Sequence, residues 1–330
     1  MRSGALFLNC LGISVRSLRN TITAIFLSAD CAPAIANVRF WKLYSSVGEE
    51  FGRHHFEQQG DTILMTQRIK RSFVITILAL SATLLACAQA GHSKVADAAA
   101  ACKLLPSQSQ LKAALTSARA AANGGFNLDM WATVVNRDGV VCAVAFTGAD
   151  RGSQWPGSRV ISAQKANTAN AFSLPKLALS TADLYSAVQP GGSLFGLQAS
   201  NPVDASVAYR GEPADYGTAK DPMVGGHIGG VNVFGGGLAL YNEQGVLIGA
   251  IGVSGDSSCA DHNIAWRTRN NLKLDHVPGG VGPDKTRPDN IVNDITAAPG
   301  LALGVSASGW GHPACSADAT KIAGELPPIS

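Results

Sequence analysis

The clearest pattern of apolar and polar positions in this chain lies at residues 238–266. Residues 246–253 are apolar without alternation, which predicts a strand that is covered on both faces. Residues 254–258 then break the strand and supply side chains that can cap a helix, which is expected at 259–269. A strand covered on both sides predicts a sheet with helices above and below it.

Two similar hairpins frame the middle of the chain. The first turn runs from Asn136 to Gly139 and the second from Asn242 to Gly245, each between apolar runs. Asn suits the first position of a type I turn, and Gly takes the left-handed position that follows. Hairpin strands separated by a helical segment predict an antiparallel sheet in a three-layer α/β/α arrangement, an α+β fold. No G-x-G-x-x-G follows the first strand, so the sequence excludes a dinucleotide site.

Helical patterns are expected before and between the hairpins. Pro106 can open a first helix, and a second over residues 157–172 carries the small residues that suit close packing on a sheet. A third helix is expected from Pro175 to Leu184. The segments without a sustained period are expected to be irregular: 203–222, 275–293 and the end of the chain after 315.

The first 90 residues are expected to be absent from the mature chain. Residues 65–90 combine a basic segment, an apolar run and an A-x-A cleavage site, which together indicate a signal peptide. Residues 1–64 precede it, and we interpret them as an upstream leader read from a wrongly assigned start codon. Cys87 lies in a sequence that resembles a bacterial lipobox, so lipidation at Cys87 is the alternative to simple cleavage. Residues 91–330 are then expected to form one domain, with a core at 105–270 and a C-terminal extension at 271–330.

Positive charge is concentrated in the part that we expect to be removed. The whole chain has 26 Lys and Arg against 23 Asp and Glu, a formal charge of +3. From residue 91 onwards there are 17 basic and 18 acidic residues, which gives −1. The mature chain therefore has no basic excess that would attract nucleic acid or an anionic membrane.

Four cysteines remain after residue 91, namely Cys102, Cys142, Cys259 and Cys315. An even number suits two disulfides in an exported protein, and no C-x-x-C pair indicates a zinc or thioredoxin-type site. Four cysteines allow three pairings. We favour Cys259 with Cys315, which would tie the tail to the central helix and leave Cys102 with Cys142.

The corner after the buried strand offers the first candidate chemistry. Ser254 lies near Asp256 and His262, but the G-x-S-x-G spacing of a hydrolase elbow is one residue short, and a serine that caps the helix is the ordinary interpretation. The start of a helix next to glycines can also bind a carboxylate or phosphate through free backbone N–H groups. The alternative is that Ser257 or Asp256 caps the helix.

Histidines are the candidate ligands for a metal or for haem iron, and their spacing does not indicate a dedicated zinc site. His262 lies on the central helix beside Asp261, which could orient it, although a polar helix face is the simpler interpretation. His227 lies in a glycine-rich loop that can approach a ligand closely. His312 is interpreted as structural.

Four segments together resemble the GlcG/HbpS family: residues 132–139, 162–169, 235–238 and 248–255. The helical K-A-N-T-A and the strand G-A-I-G-V-S-G are the most specific of these motifs. The family includes extracellular haem-binding proteins and the C-terminal domain of PduO-type adenosyltransferases. The resemblance covers roughly residues 105–270. It implies a profilin-like fold with a five-stranded antiparallel sheet, homo-oligomers, and haem binding that is sometimes linked to haem breakdown or redox sensing.

We therefore expect an exported protein, periplasmic or extracellular, that binds haem or a related small anion and contacts a membrane only if Cys87 is lipidated. The residues expected to border the site are Lys165, Thr168, His227, Ser254, Gly255 and His262. His262 is the first choice as iron ligand. One alternative is an enzyme that acts on a small oxygenated metabolite or organic acid, and another is a structural or sensor-partner module of the cell envelope that binds no small molecule.

Overall fold

The computed structural model describes residues 102–330. The expected leader at 1–64, the signal peptide at 65–90 and the lipobox cysteine Cys87 lie outside the described residues. Within residues 102–330, no helix is both long enough and apolar enough to cross a membrane.

The central sheet has four antiparallel strands in the order β2-β1-β4-β3. They are β1 (Trp131–Asn136), β2 (Val141–Phe146), β3 (Gly237–Tyr241) and β4 (Leu247–Ser254). Each hairpin contributes two neighbouring strands, and β1 pairs with β4 to join the two hairpins. All eight residues of β4 are buried, so the prediction of a strand covered on both faces is confirmed.

The five-stranded sheet implied by the resemblance is wrong for this chain, because loops cover the two edges of the sheet where a further strand would pair. At the β2 edge, the Val141 N–H donates to the Gly226 carbonyl, and the Val141 carbonyl accepts the Gly225 N–H. At the β3 edge, the Thr181 N–H donates to the carbonyl of Gly237. The remaining two strands of the described chain, β5 (Ile295–Ala298) and β6 (Leu301–Ser306), form a separate sheet in the C-terminal extension.

Helices lie on both faces of the central sheet. On one face α1 (Gln108–Ala120) packs together with a long helix near the end of the core, which is labelled α6 (Ser258–Asn271). On the other face α2 (Ser158–Phe172) packs against β1 and β4. Each face has its own apolar core, so the three-layer arrangement predicted from the pattern is observed.

Short elements connect the second helix to the second hairpin: α3 (Tyr185–Val188), α4 (Leu197–Ser200), α5 (Ala205–Ala208) and a 3₁₀ turn (Pro213–Asp215). The helix expected from Pro175 to Leu184 is wrong. Leu174 and Leu177 exchange backbone hydrogen bonds, and the Asp183 carboxylate accepts the Ser180 N–H, so local contacts replace a helical ladder. A final helix, α7 (Ala317–Glu325), occupies the tail that was expected to be flexible.

Local side chains explain why both hairpins turn where the pattern predicts. The side-chain oxygen of Asn136 accepts the Val140 N–H, and that of Asn242 accepts the Val246 N–H. The glycine of each turn has a positive φ, 78° at Gly139 and 68° at Gly245. A residue with a Cβ rarely adopts this backbone conformation, so glycine is favoured at both positions.

Two disulfides and buried polar contacts fasten the C-terminal extension and the N-terminal segment to the core. The structure pairs Cys259 with Cys315 and Cys102 with Cys142, the pairing favoured from the sequence. The indole N–H of Trp266 in α6 donates to the carbonyl of Pro327 at 2.9 Å. The extension therefore packs as part of the same folded unit as residues 105–270.

Candidate functional site

The corner between β4 and α6 satisfies its own backbone groups. The Ser257 hydroxyl accepts the Ala260 N–H as the helix N-cap, and the Asp261 carboxylate accepts the Asp256 N–H at 2.8 Å. The Cys259 N–H points at the sulfur of Cys315, 3.2 Å away. These contacts occupy the amides that a bound carboxylate or phosphate would need. The corner is therefore a helix start capped by Ser257, which was the alternative to an anion site.

Lys165 and Asp261 form a buried ion pair beside this corner. The two side chains are 2% and 3% exposed, and Lys165 Nζ lies 2.7 Å from Asp261 Oδ2. The ammonium also donates to the Val253 carbonyl at 3.1 Å. Burial raises the pKa of Asp261 to about 6, although the Lys165 ammonium acts in the opposite direction. Lys165 therefore holds α2 to the end of β4, where Ser254 is only 4% exposed.

His262 is fully buried under the C-terminal extension. Its Nε2 accepts the Ile291 N–H at 3.1 Å and lies 3.1 Å from the side-chain oxygen of Asn290. Its Nδ1 is buried and has no hydrogen-bond partner among the described atoms. Burial lowers the pKa of His262 to about 3, so the ring is neutral in the folded chain at neutral pH. In this arrangement His262 offers no accessible lone pair to an iron.

The pKa values of His262 and Asp261 are both shifted in the folded chain, and the two shifts have opposite effects on the pH dependence of stability. Below about pH 6.5 the unfolded chain protonates His262, whereas the folded chain does so only near pH 3. This difference lowers the free energy of unfolding as pH falls, by up to about 1.4 kcal/mol per pH unit. Asp261 acts in the opposite sense, because burial raises its pKa in the folded chain to about 6, above the ordinary aspartate pKa of about 4.

We expect His262→Gln to make the loss of stability between pH 6.5 and 4 shallower than in the wild-type chain. Urea denaturation at a series of pH values gives this slope. Asp261→Asn is the matched variant, and it is expected to make the same loss steeper because it removes the compensating group. If the free energy of unfolding changed equally with pH in all three proteins, the pKa shifts given for His262 and Asp261 would be contradicted.

His227 lies apart from the buried corner, on the surface of the glycine-rich loop. Its side chain is exposed, and its ring nitrogens have no hydrogen-bond partner in the described part of the chain. A Cβ added at Gly139 would lie 3.9 Å from Cδ2 of His227 and 3.3 Å from the Asn167 side-chain oxygen. The imidazole of this exposed residue therefore stands beside the turn of the first hairpin.

Helix α2 contacts both the buried corner and the glycine-rich segment that follows His227. Asn167 donates from its side-chain nitrogen to the Gly230 carbonyl at 2.8 Å, and the Thr168 hydroxyl accepts the Asn232 N–H at 3.0 Å. Both contacts fix the segment that follows His227. The structure thus places Lys165, Ser254, Gly255 and His262 in or around the buried corner, with Thr168 against the glycine-rich segment and His227 at the surface.

A cavity of about 540 Å³ lies between the end of α1 and α7. Its charged lining residues are Arg119, Asp256, Asp318, Lys321 and Glu325. No histidine, cysteine, methionine or tyrosine is among the residues that line it. Since these are the side chains that ligate haem iron, this cavity supplies no axial ligand.

The residues of the extension that cover the corner were not predicted from the sequence. Asp289 pairs with Arg269 of α6, and both side chains are 0% exposed. Asn290 and Ile291 follow and contact His262. These residues lie in a segment with no periodic pattern, so only the folded structure shows that they cover the corner.

Residues 107–269 match a family described as HbpS-like, haem degrading protein HbpS-like. Two solved structures resemble the chain. A crystal structure of a PduOC–haem complex has 23% identity and a TM-score of 0.36, and the match covers 51% of this chain and 93% of that one. Klebsiella pneumoniae protein ORFY, described as a DUF336 protein, has 25% identity and a TM-score of 0.34, with 50% and 86% covered. No curated protein matches the chain.

Proposed function

Because residues 107–269 match the HbpS-like family, we propose that this chain belongs to that family and that the protein binds haem. The family match is the observation that carries the proposal. The matched range coincides closely with the region where sequence motifs resemble the GlcG/HbpS family. Bound haem would supply a redox-active iron, which the side chains of the protein lack.

The histidines in the described chain differ in their fitness as iron ligands. An axial imidazole must present an unprotonated nitrogen to the iron from a position that a porphyrin can reach. His262 and His312 are 0% and 1% exposed, so a porphyrin cannot reach either ring in this arrangement. His227 is exposed, so a porphyrin can approach its ring. We therefore propose His227 as the iron ligand in place of His262, which was the first choice from sequence.

The buried residues expected at the site are proposed to act indirectly. Lys165 holds α2 against α6 through Asp261 and against β4 through the Val253 carbonyl. Thr168 fixes the segment that follows His227 by accepting the Asn232 N–H. A rigid support of this kind keeps the exposed imidazole in one place. Ser254 and Gly255 belong to the capped corner and are proposed to support the fold of α6.

Replacing His227 with alanine is expected to weaken haemin binding by roughly tenfold or more, because the iron loses its protein ligand. Absorbance in the Soret region during haemin titration of the full chain measures the affinity. His276→Ala is the matched control, since His276 is also partly exposed but lies outside the glycine-rich loop. An affinity that is unchanged in His227→Ala and reduced in His276→Ala would remove His227 from the proposal.

Export and self-association are further parts of the proposal. The basic segment, apolar run and A-x-A site at residues 65–90 support export to the periplasm or the cell exterior, and two disulfides suit an oxidising compartment. A haem bound through a surface histidine leaves its second face uncovered. A second copy of the chain could cover that face, which supports a homo-oligomer with haem between subunits.

A further inference from the structure

Three side chains with metal-binding atoms meet where the C-terminal extension crosses the start of α6. Cys259 lies in the first turn of α6, and His312 and Cys315 lie on the extension. One ligand atom of each residue lies within 4.8 Å of those of the other two. Two of the three residues lie beyond residue 269, where the family match ends, and none of the three is the proposed haem ligand.

The contacts of His312 determine which ring nitrogen can bind a metal. Nδ1 lies 2.8 Å from the carbonyl oxygen of Pro313, which can only accept, so Nδ1 carries the proton. Nε2 then has the lone pair, and it accepts a long hydrogen bond of 3.4 Å from the Gly235 N–H. Metal-binding histidines commonly donate their other N–H to a carbonyl, which fixes the tautomer and the ring orientation. The ring also packs on Tyr185, with 5.1 Å between ring centres.

The two sulfurs differ in their access to solvent. Cys259 is 2% exposed, whereas Cys315 is exposed. The sulfur of Cys315 lies 3.2 Å from the backbone nitrogen of Cys259 and 3.5 Å from the hydroxyl oxygen of Ser258. A backbone N–H at the positive end of a helix stabilises a thiolate. Cys315 is therefore the sulfur that a reductant in solution reaches, and the fold favours its thiolate once the disulfide is open.

We propose that Cys259, His312 and Cys315 form a redox-switched zinc site. Two equivalents of a thiol RSH reduce the disulfide, so that the S–S bond breaks, two cysteine thiols form and one RSSR leaves. Zn²⁺ then binds both sulfurs and the imidazole, and two thiol protons pass to solvent. Oxidation by RSSR reverses the switch, because the S–S bond forms again, Zn²⁺ leaves, and two protons are taken up in two RSH.

Two thiolates and one imidazole are ligands that Zn²⁺ prefers, and they leave one tetrahedral position open. The exposure of Cys315 gives the ion an entry path and leaves the fourth position to water. Cys259 and Cys315 tie the extension to α6 in both states, through a disulfide when oxidised and through the metal when reduced.

The test compares zinc uptake by the oxidised and the reduced full chain. The chain is reduced with a thiol, separated from it without air, and titrated with Zn²⁺ against a chromophoric chelator. We expect one Zn²⁺ per reduced chain and none per oxidised chain. A parallel titration with Co²⁺ is expected to give thiolate-to-cobalt absorption.

Three variants locate the site. His312→Ala is expected to weaken zinc binding by roughly tenfold or more, and the double variant Cys259→Ser, Cys315→Ser is expected to abolish it. The matched control is Cys102→Ser with Cys142→Ser, which removes the other disulfide and should leave uptake unchanged. Circular dichroism verifies that each variant is folded.

Zinc uptake that is lost with Cys102 and Cys142, or that is the same in His312→Ala as in the wild type, would overturn the proposal. A reduced chain that takes up no Zn²⁺ would do so as well. The same holds for a reduced chain that unfolds and does not refold when Zn²⁺ is added, because the site requires the fold.

Discussion

Replacing Asp289 with alanine is expected to lower the free energy of unfolding by about 3–5 kcal/mol. Asp289 and Arg269 form an ion pair with both side chains 0% exposed, and the Arg269 guanidinium also donates to the Ala239 carbonyl at 3.1 Å. The guanidinium lies 4.5 Å from the ring centre of Trp266. Loss of the carboxylate would leave a buried positive charge without its counter-ion, which is the costly case for a buried pair.

Urea denaturation of Asp289→Ala and of the wild-type chain measures this loss. Asp284→Ala is the matched control, because Asp284 pairs with Arg287 in the same extension but its side chain is 46% exposed. An exposed pair is screened by water and contributes little, so a much smaller loss is expected. Equal losses in the two variants would show that the buried pair does not anchor the extension to α6.

Replacing Gly252 with alanine is expected to cost about 3 kcal/mol, the upper end of the usual range for overpacking. A Cβ at Gly252 would lie 2.0 Å from the Ser162 carbonyl oxygen and 2.4 Å from the Ala166 backbone nitrogen. Both are backbone atoms of α2, so no side chain can move aside to admit the methyl group. Helix α2 would have to shift away from β4, and it carries Lys165 and Asn167 with it.

Gly157→Ala is the control for this second substitution. Gly157 is the N-cap of α2 with φ −64°, and a Cβ there would meet no atom within 4 Å. Thermal and urea denaturation should therefore find little change in Gly157→Ala and a large loss in Gly252→Ala. Equal stability of the two variants would show that the close contact between α2 and β4 contributes little to the stability of the fold.

The elements that depend on local chemistry could be predicted from the sequence. The two Asn-x-x-Gly turns need only their own side chains and a glycine with positive φ, and both form where the pattern places them. The buried strand β4 is apolar at nearly every position and is buried throughout. Helices α2 and α6 begin and end within two residues of the predicted bounds.

The parts that depend on distant contacts could not be predicted in this way. Nothing near Asp289 in sequence indicates that it meets Arg269, and nothing near Ile291 indicates that it covers His262. The two imidazoles His227 and His262 differ chiefly in burial, which the tertiary structure alone determines. For the same reason the sequence favoured a buried histidine as the iron ligand, while the folded chain exposes another.

Titration of the full chain with haemin, followed by absorbance, is the most direct test of haem binding. We expect a saturable Soret shift at one haem per chain, or at one per pair of chains if a second copy covers the haem. An absorbance change that grows without saturation, or no shift at all, would contradict haem binding by this chain.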